Sequence, residues 1–273
     1  MNERGLRYVS DLGTVPLAAS GMRTDTTGLH GWRIPYKLGY RGISGARDTA
    51  REIKVDVAYT SAEACDAARS VFRADVLRGV PGKIECGDWW ASAYVVADEI
   101  DDQRMPVTAK LTVVLVDGTW RREHRLHVPM PSPSHGGGGL DYPFDYAYDF
   151  SMPSSPWYAD ASELFESAVS IRIYGPASSP AVVIGGNSYQ VMRDVANGEV
   201  VETDGLRKAV ELITADGERI NIAADAVRGR GVGSGSYIFQ RLPRGRSRIE
   251  SDGSFAFDAI WYDEDGEPPW SRR

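Results

Sequence analysis

The chain has little cysteine and no long apolar run. Its 273 residues include two cysteines, Cys65 and Cys86. Two cysteines at this distance exclude a disulfide framework and lack the C-x-x-C spacing of redox or zinc sites, so both are expected to be buried thiols. No apolar stretch approaches the ~20 residues of a membrane-spanning helix, and the first residues lack the apolar core of a signal peptide. The sequence therefore predicts a soluble product, made in cytoplasm, that does not insert into membranes.

The chain also lacks an excess of positive charge. Its net charge is −7, and residues 141–273 carry eight more acidic than basic side chains. Phosphate backbones are bound by clustered lysine and arginine, which neither half provides in excess. Specific nucleic-acid binding is therefore not expected. At 42% hydrophobic and 25% charged residues, the composition is that of a globular protein, and each half is long enough to bury a core.

A glycine-rich segment divides the chain. Residues 132–139 end in four consecutive glycines, and residues 140–150 then alternate aromatic and acidic side chains. Gly-rich chain is flexible and solvated, so it belongs between folded units. We predict a first domain over 1–131, a linker and aromatic tether over 132–149, and a second domain over 150–273.

The first domain is predicted to be a sheet with one helix. Residues 51–58 alternate apolar and charged side chains, as a half-buried strand does. Thr60 begins a capping-box pattern that predicts a helix over 61–78. The buried face of this helix is predicted to carry Cys65, Ala68, Phe72 and Val76. Further strands are predicted over 83–86, 92–97 and 107–116, with a turn over 101–104. The glycine-rich segment 21–50 is predicted to be a long excursion, and such loops usually carry contacts or function.

The second domain is predicted to be a β-sandwich. Short apolar segments recur between turn signals such as Asn197-Gly, Asp216-Gly and Asp252-Gly, without an amphipathic helix. The predicted strands are 168–174, 181–184, 188–191, 208–213, 237–239, 247–249 and 255–262.

No motif in the chain predicts catalysis or metal binding. His124 and His127 are three residues apart on a predicted strand and therefore point to opposite faces, and His30 and His135 are isolated. The acidic residues Asp263, Glu264, Asp265 and Glu267 do not have the spacing of a calcium loop and predict a solvated turn.

The glycine cluster 229–235 is predicted to be a flexible loop. It lacks the Gly-Lys-Ser/Thr ending and the following helix of a phosphate-binding loop. Its Gly233-Ser-Gly-Ser236 sequence also lacks the strand-to-helix context of a nucleophile elbow. Neither a catalytic residue nor a cofactor site is predicted.

Four segments of the sequence resemble the distal tail proteins of long-tailed bacteriophages, especially those of Gram-positive hosts. They cover most of the chain in the family's order, whereas the Gly136–Gly139 linker and the long 21–50 segment depart from its pattern. The four are residues 50–57 with the helix 61–78, Gly87-Asp-Trp-Trp90 with 92–96, the Asp-Tyr-Pro-rich segment 141–150, and Gly266-Glu-Pro-Pro-Trp270.

The resemblance implies a mainly β fold, with an N-terminal tail-tube-like domain that closes into a sixfold ring and a C-terminal galectin-like sandwich. The ring would sit at the virion tail tip and join the tail tube to the tail-tip hub and receptor-binding apparatus. Its expected partners are further copies of itself, the tail-tube protein and a hub or tail-associated protein, with the tape-measure protein and host cell-wall polysaccharide as further candidates.

The resemblance also suggests which residues make the contacts. The 21–50 excursion would pair with the neighbouring subunit. The expected ring-interface residues are Arg33, Tyr36, Tyr40 and Arg41, and the expected interdomain tether residues are Tyr142, Phe144, Tyr146 and Tyr148.

Two other functions fit parts of the sequence. The sandwich domain and the aromatic-acidic segment 141–150 would suit a protein that binds host cell-wall polysaccharide, although this segment could equally pack on its own domain. A polysaccharide-cleaving enzyme needs two carboxylates at a fixed separation across a cleft, and the sequence places no such pair. The leading hypothesis is a structural virion protein without catalysis or cofactor.

Overall fold

The chain folds into nineteen β-strands and one α-helix in the part that the computed structural model describes, residues 5–19, 21–46, 48–130 and 156–269. The predicted mainly β fold with one helix is confirmed. The elements up to residue 128 are β1 Leu6–Ser10, β2 Gly13–Pro16, β3 Met22–Thr24, the 3-10 helix Thr26–Leu29, β4 Lys37–Gly39, β5 Gly42–Ser44, β6 Arg51–Tyr59, α1 Ala62–Arg78, β7 Gly82–Cys86, β8 Trp89–Asp102, β9 Val107–Leu115 and β10 Trp120–Val128. The later ones are β11 Trp157–Asp160, β12 Val169–Tyr174, β13 Ala181–Ile184, β14 Asn187–Gln190, β15 Val200–Asp204, β16 Ala209–Ile213, β17 Arg219–Asn221, β18 Arg246–Glu250 and β19 Ala256–Asp265.

The chain forms two compact units. The first contains Met1–Arg122 and Glu264–Arg273, and the second contains Glu123–Asp263. The end of the chain thus belongs to the first unit, whereas the sequence suggested a second domain continuous to residue 273. The predicted linker 132–149 lies outside the described residues, so its boundaries stay a prediction.

The first unit is an antiparallel sheet with α1 packed on it. The strand order is β2-β1-β7-β8-β9-β6-β3, and the beginning of β10 also pairs with β8. The alternating sequence of β6 explains its place in the sheet, because Ile53, Val55 and Val57 are buried while the charged residues between them are exposed. β6 pairs with β9 along its whole length, from Arg51 opposite Leu115 to Tyr59 opposite Val107.

Helix α1 begins one residue later than predicted. Its N-cap is Ser61, whose hydroxyl accepts a hydrogen bond from Ala64 N at 3.1 Å. The prediction of Thr60 as N-cap is wrong because the Thr60 amide donates to Gly21 O, which holds this residue in the preceding connection. The helix ends at Gly79, which adopts the left-handed conformation with φ 67°.

The buried face of α1 includes a carboxylate. Cys65, Ala68 and Phe72 are buried as predicted, but the next buried position is Asp75, whereas Val76 is exposed. The prediction for Val76 is therefore wrong.

A hydrogen-bond network compensates the burial of Asp75. The Tyr8 hydroxyl donates to Asp75 Oδ2 at 2.8 Å, and Ser10 Oγ donates to Oδ1 at 2.8 Å. The Gly82 amide donates to the Tyr8 oxygen at 3.2 Å. Buried polar groups are costly unless they are paired in this way, so the network fixes the helix against β1 and β7.

Alkaline pH is expected to lower the free energy of unfolding through Tyr8 and Tyr59. Burial and the neighbouring carboxylates of Asp75 and Asp98 raise the pKa of both phenols above the usual 10.0. Because the unfolded chain releases these protons first, the stabilisation is complete below about pH 10 and is lost as the pH rises toward the folded-state pKa. Urea unfolding between about pH 8 and 11 should show this decline. The double variant Tyr8→Phe/Tyr59→Phe should show a shallower decline, and an unchanged slope would contradict the assignment.

The second unit is a two-layer β-sandwich. One sheet has the order β17-β16-β15-β12-β19, with the part of β10 from Glu123 beside β19, and the other has the order β11-β18-β13-β14. Apolar residues from both sheets form one core, including Ile171, Val201 and Phe257 from the first and Val182 and Ile249 from the second. The predicted sandwich architecture of this part is confirmed.

Two local predictions were wrong. Residues 237–239 are not a strand, because the Tyr237 amide and carbonyl bond to the side chain of Asn187 instead of a neighbouring strand. The turn predicted at 101–104 starts later, since β8 continues to Asp102 with register shifts between Val95 and Ala97 and between Ile100 and Asp102.

In the described ranges, no helix is long and apolar enough to cross a membrane.

Candidate functional site

The predicted excursion contains an exposed β-hairpin. β4 and β5 pair only with each other among the described strands, with Leu38 opposite Ile43 and Gly39 opposite Gly42. Tyr40 and Arg41 form the two-residue turn, after which Gly42 adopts a φ of 129°, a value that side chains disfavour. Every residue of both strands is exposed.

The hairpin and the segment before it present apolar side chains to solvent. Leu38 and Ile43 are 81% and 64% exposed, and because they are register partners their side chains lie next to each other on one face. An isolated two-stranded hairpin is marginal in water, and exposed apolar patches of this kind mark interaction surfaces. Four further exposed apolar residues accompany the pair: Trp32, Ile34, Tyr36 and Tyr40.

The same segment is purely basic. Residues 31–46 contain three cationic side chains, Arg33, Lys37 and Arg41, and no acidic residue. The structure therefore brings the four predicted ring-interface residues into one exposed arm, and their place in a ring stays a prediction. Sequence reasoning missed Leu38 and Ile43, which the short apolar alternation around Gly39 and Gly42 could have revealed as a hairpin.

The base of the hairpin is fixed to the first unit. Leu29, which precedes the hairpin, is fully buried. The Gly31 amide donates to a carboxylate oxygen of Glu267, while Arg51 donates to Gly31 O at 2.8 Å and also to Gly266 O. Burial lowers the pKa of the Arg51 guanidinium from its usual value, whereas nearby carboxylates raise it. The arm therefore projects from a rigid base.

The acidic turn near the end of the chain has a structural role. Glu267 holds the hairpin base, and Asp265 accepts a hydrogen bond from the Gly266 amide at 2.6 Å. Asp263 instead pairs with His124. The expectation of a solvated turn is thus wrong for Glu267. Its hydrogen-bond partner, the Gly31 amide, is 236 positions away, so sequence spacing could not have revealed the contact.

A groove of about 580 Å³ lies between α1 and β8. Its wall includes the exposed apolar residues Leu77 and Val96. At its inner side, Asp98 accepts a hydrogen bond from the Tyr59 hydroxyl at 2.9 Å and forms an ion pair with Arg69 at 3.4 Å. The other carboxylate oxygen of Asp98, Oδ1, is buried and has no donor among the described residues.

The two histidines of β10 bind separate carboxylates. His124 Nε2 lies 2.8 Å from Asp263 Oδ2, and the ring stacks on Trp261 with 5.7 Å between ring centroids. His127 Nδ1 lies 2.6 Å from Asp258 Oδ1. The described residues hold no cluster of three or more potential metal ligands.

The glycine cluster 229–235 forms turns held by its own backbone and by Gln240. The Gly231 amide donates to Arg228 O at 3.0 Å, and the Gly233 amide donates to Gln240 Oε1 at 2.8 Å. The next regular element is the strand β18, so the strand-turn-helix context of a nucleophile elbow or phosphate loop is missing from the described part of this region.

His135 and the predicted tether residues Tyr142, Phe144, Tyr146 and Tyr148 lie outside the described residues.

The described residues combine a helix-bearing sheet that carries an exposed hairpin with a β-sandwich. No known sequence family and no curated protein matches the chain. Solved structures do match it. The SPP1 Dit protein, described as a paradigm of the hub adsorption apparatus of phages that infect Gram-positive bacteria, is similar at a TM-score of 0.52 and 10% identity, over 95% of this chain and 99% of that one.

Chains of the phage p2 baseplate in its activated conformation are also similar. The strontium form matches with a TM-score of 0.59 and the calcium form with 0.58, each at 10% identity over 96% of this chain and 98% of the other. At this level of identity the likeness concerns the fold. The resemblance to distal tail proteins is confirmed in that respect, across nearly the whole chain.

Proposed function

We propose that this chain is a structural protein of the phage tail tip, a distal tail adaptor that forms a homohexameric ring. The observation that carries the proposal is the basic, apolar hairpin β4–β5, exposed and yet fixed at its base. Soluble proteins seldom display such an arm unless it is covered by a partner. The similarity of the fold to the SPP1 Dit protein and to chains of the p2 baseplate supports a partner within an assembly of this kind.

The two units would have different tasks in this adaptor. The first unit, with its sheet, helix and hairpin, is proposed to form the ring below the tail tube and to contact the tube protein. The second unit is proposed to be the galectin-like domain that faces outward toward the hub and the receptor-binding apparatus. In the proposed ring, Arg33, Tyr36, Tyr40 and Arg41 contribute to the subunit interface, and the aromatic residues of 142–148 tether the units.

No catalytic role is proposed. The two histidines of β10 are each paired with a carboxylate, His124 with Asp263 and His127 with Asp258. A galectin-like shape does not by itself confer sugar binding, so the second unit is proposed as a docking platform.

The mass of the purified chain in solution tests the ring. We expect light scattering over a concentration series to give a species of six times 29.9 kDa, and negative-stain images to show a sixfold ring. If the chain remains a monomer alone, it should assemble when it is co-expressed with the tail-tube protein. A monomer under both conditions would contradict the proposal.

A further inference from the structure

We propose that an arginine-rich surface of the second unit binds a phosphodiester polymer. This inference goes beyond the proposed function and does not depend on the ring. The surface is the exposed side of residues 226–249, together with the turn between β13 and β14 that these residues adjoin. Residues 226–249 contain six arginines and no acidic residue. They hold half of the twelve basic side chains of the second unit, which as a whole is acidic.

Two parts of this segment meet at the β13–β14 turn, residues 185–186. The Gly185 amide donates to Arg248 O at 3.0 Å. Pro243 packs on the same glycine, because a Cβ built on Gly185 would lie 3.1 Å from the Pro243 ring. This contact places the next residue, Arg244, beside the turn as well. Two arginines four positions apart thus flank one glycine turn.

The glycine cluster 229–235 reaches the same turn from the other side. The Ser188 amide in β14 donates to Gly235 O at 2.8 Å. The start of the cluster folds back on its end, because a Cβ on Gly229 would clash with the hydroxyl groups of residues 234 and 236. Arg230 follows directly and is exposed. The fold therefore gathers arginines from both ends of the segment around the β13–β14 turn.

Two of these arginines carry uncompensated charge. Arg230 and Arg244 are exposed, and neither forms an ion pair with a residue in the described ranges. Arg248 pairs with Glu250 at 3.0 Å, but the two side chains are 64% and 51% exposed. Exposed pairs of this kind contribute little to stability, so Arg248 can exchange its partner for another anion.

Carboxylates along the edge of the surface do not cancel its charge. Besides Glu250, Asp160 lies 3.5 Å from an arginine of β18, Glu163 lies beside Gly245, and the backbone of Glu166 accepts a hydrogen bond from the segment. Six arginines face these four acidic residues. The surface therefore keeps an excess of positive charge, which attracts anions to an otherwise acidic unit.

The chemistry of the surface suits phosphate groups. A guanidinium group presents several N–H donors in a rigid fork that matches phosphate oxygens. The side chains of Ser234 and Ser236 add neutral hydroxyl groups. A Cβ on Gly231 or Gly233 would meet no atom within 4 Å, so the space above the backbone is open to a polymer chain.

The surface lacks the apolar anchors of a protein interface. Val232 is the one exposed large apolar side chain of 226–249, a segment that the structure describes in full. Protein interfaces bury several aromatic or aliphatic anchors at their centre. The arginines follow a curved segment instead of surrounding one point, so a chain of phosphates engages more of them than a single ion does. The ligand is therefore a phosphodiester polymer and not an acidic protein.

Binding of the full chain to immobilised poly(glycerol phosphate) tests this surface. The double variant Arg230→Gln/Arg244→Gln should raise the Kd at least about tenfold, because two charge-assisted contacts are lost. Both side chains are exposed, so the fold is expected to remain intact, which circular dichroism checks. The matched control is Arg207→Gln/Lys208→Gln in the turn between β15 and β16. It removes the same charge from exposed positions and should bind like the wild type.

Two further polymers identify the chemistry that is recognised. Polyglycerol has the same backbone without phosphate and should not bind. Polyglutamate should bind more weakly than poly(glycerol phosphate), because its charges stand at the ends of side chains and not in the polymer chain itself. Equal affinity for polyglutamate would overturn the assignment of a phosphodiester and indicate an acidic protein partner. Raising the salt from about 50 to about 200 mM should weaken binding, since exposed charges are screened.

The outcomes separate this inference from the proposed ring. Neither double variant should change the mass measured by light scattering. A wild-type chain that does not bind poly(glycerol phosphate), or an Arg230→Gln/Arg244→Gln chain that binds it like the wild type, would overturn this inference and leave the ring untouched. A wild-type chain that binds the polymer but stays monomeric even with the tail-tube protein would contradict the ring and leave this surface in place.

Discussion

Replacing Trp120 with alanine is expected to lower the free energy of unfolding of the first unit by about 3–5 kcal/mol. Trp120 begins β10 and is the largest fully buried side chain of the described residues. It belongs to the core cluster that the sheet and α1 share. Truncation removes its transfer free energy and leaves a cavity that rigid neighbouring strands cannot fill. Urea unfolding followed by circular dichroism would measure the loss.

Trp120→Phe is the matched control. The Trp120 indole nitrogen is buried and has no acceptor in the part of the chain that the structure describes. Phenylalanine gives up some packing volume but also removes this unpaired donor, whose burial costs about 1–3 kcal/mol. The two effects oppose each other, so Trp120→Phe is expected to lie within about 1 kcal/mol of the wild type. Equal destabilisation by both substitutions would contradict this expectation. It would show that the Trp120 indole N–H has an acceptor, or that the lost side-chain volume alone sets the free energy of unfolding.

The triple variant Tyr36→Ser/Leu38→Ser/Ile43→Ser is expected to weaken self-assembly by at least two orders of magnitude, about 100-fold. These side chains are exposed and contribute little to the fold, so the free energy of unfolding should change by less than about 0.5 kcal/mol each. In a ring they would be buried, and the loss of three apolar anchors should raise the concentration for half-assembly by at least about 100-fold. Light scattering over a dilution series measures this.

A second triple variant controls for general changes in surface hydrophobicity. Leu164, Phe165 and Met192 in the second unit are 72%, 60% and 60% exposed, close to the hairpin values. Their replacement by serine should leave assembly unchanged. If both triple variants assemble equally well, the hairpin is not the subunit contact; if both fail, the effect is not specific to the hairpin.

Much of the fold follows from local sequence patterns. β6 was predicted to within one residue at its end and α1 to within one residue at its start, because alternation and helical spacing depend only on neighbouring positions. Short strands without clear alternation, such as β2 and β15, were not predicted. At 237–239, side-chain bonding from Asn187 overrode the local β pattern, and such a contact cannot be seen in a window of ten residues.

The candidate surfaces were only partly predictable. The excursion 21–50 stood out by its glycine content, and Arg33, Tyr36, Tyr40 and Arg41 do lie together on an exposed arm. The groove could not be predicted, since it is formed by a helix and a strand whose packing is a tertiary property. The buried Asp75 was not anticipated either, because its partner Tyr8 is 67 positions away.

The sequence by itself determined the positions of β6 and α1, the mainly β class and the exclusion of a disulfide framework. These features depend only on composition and on spacings of a few residues. The tertiary structure alone decided that Glu267 holds the hairpin base 236 positions earlier and that the end of the chain joins the first unit. It also decided which apolar residues stay exposed. Contacts of this kind form when separated segments bury surface together, and the free energy of that burial depends on three-dimensional complementarity that no local pattern records.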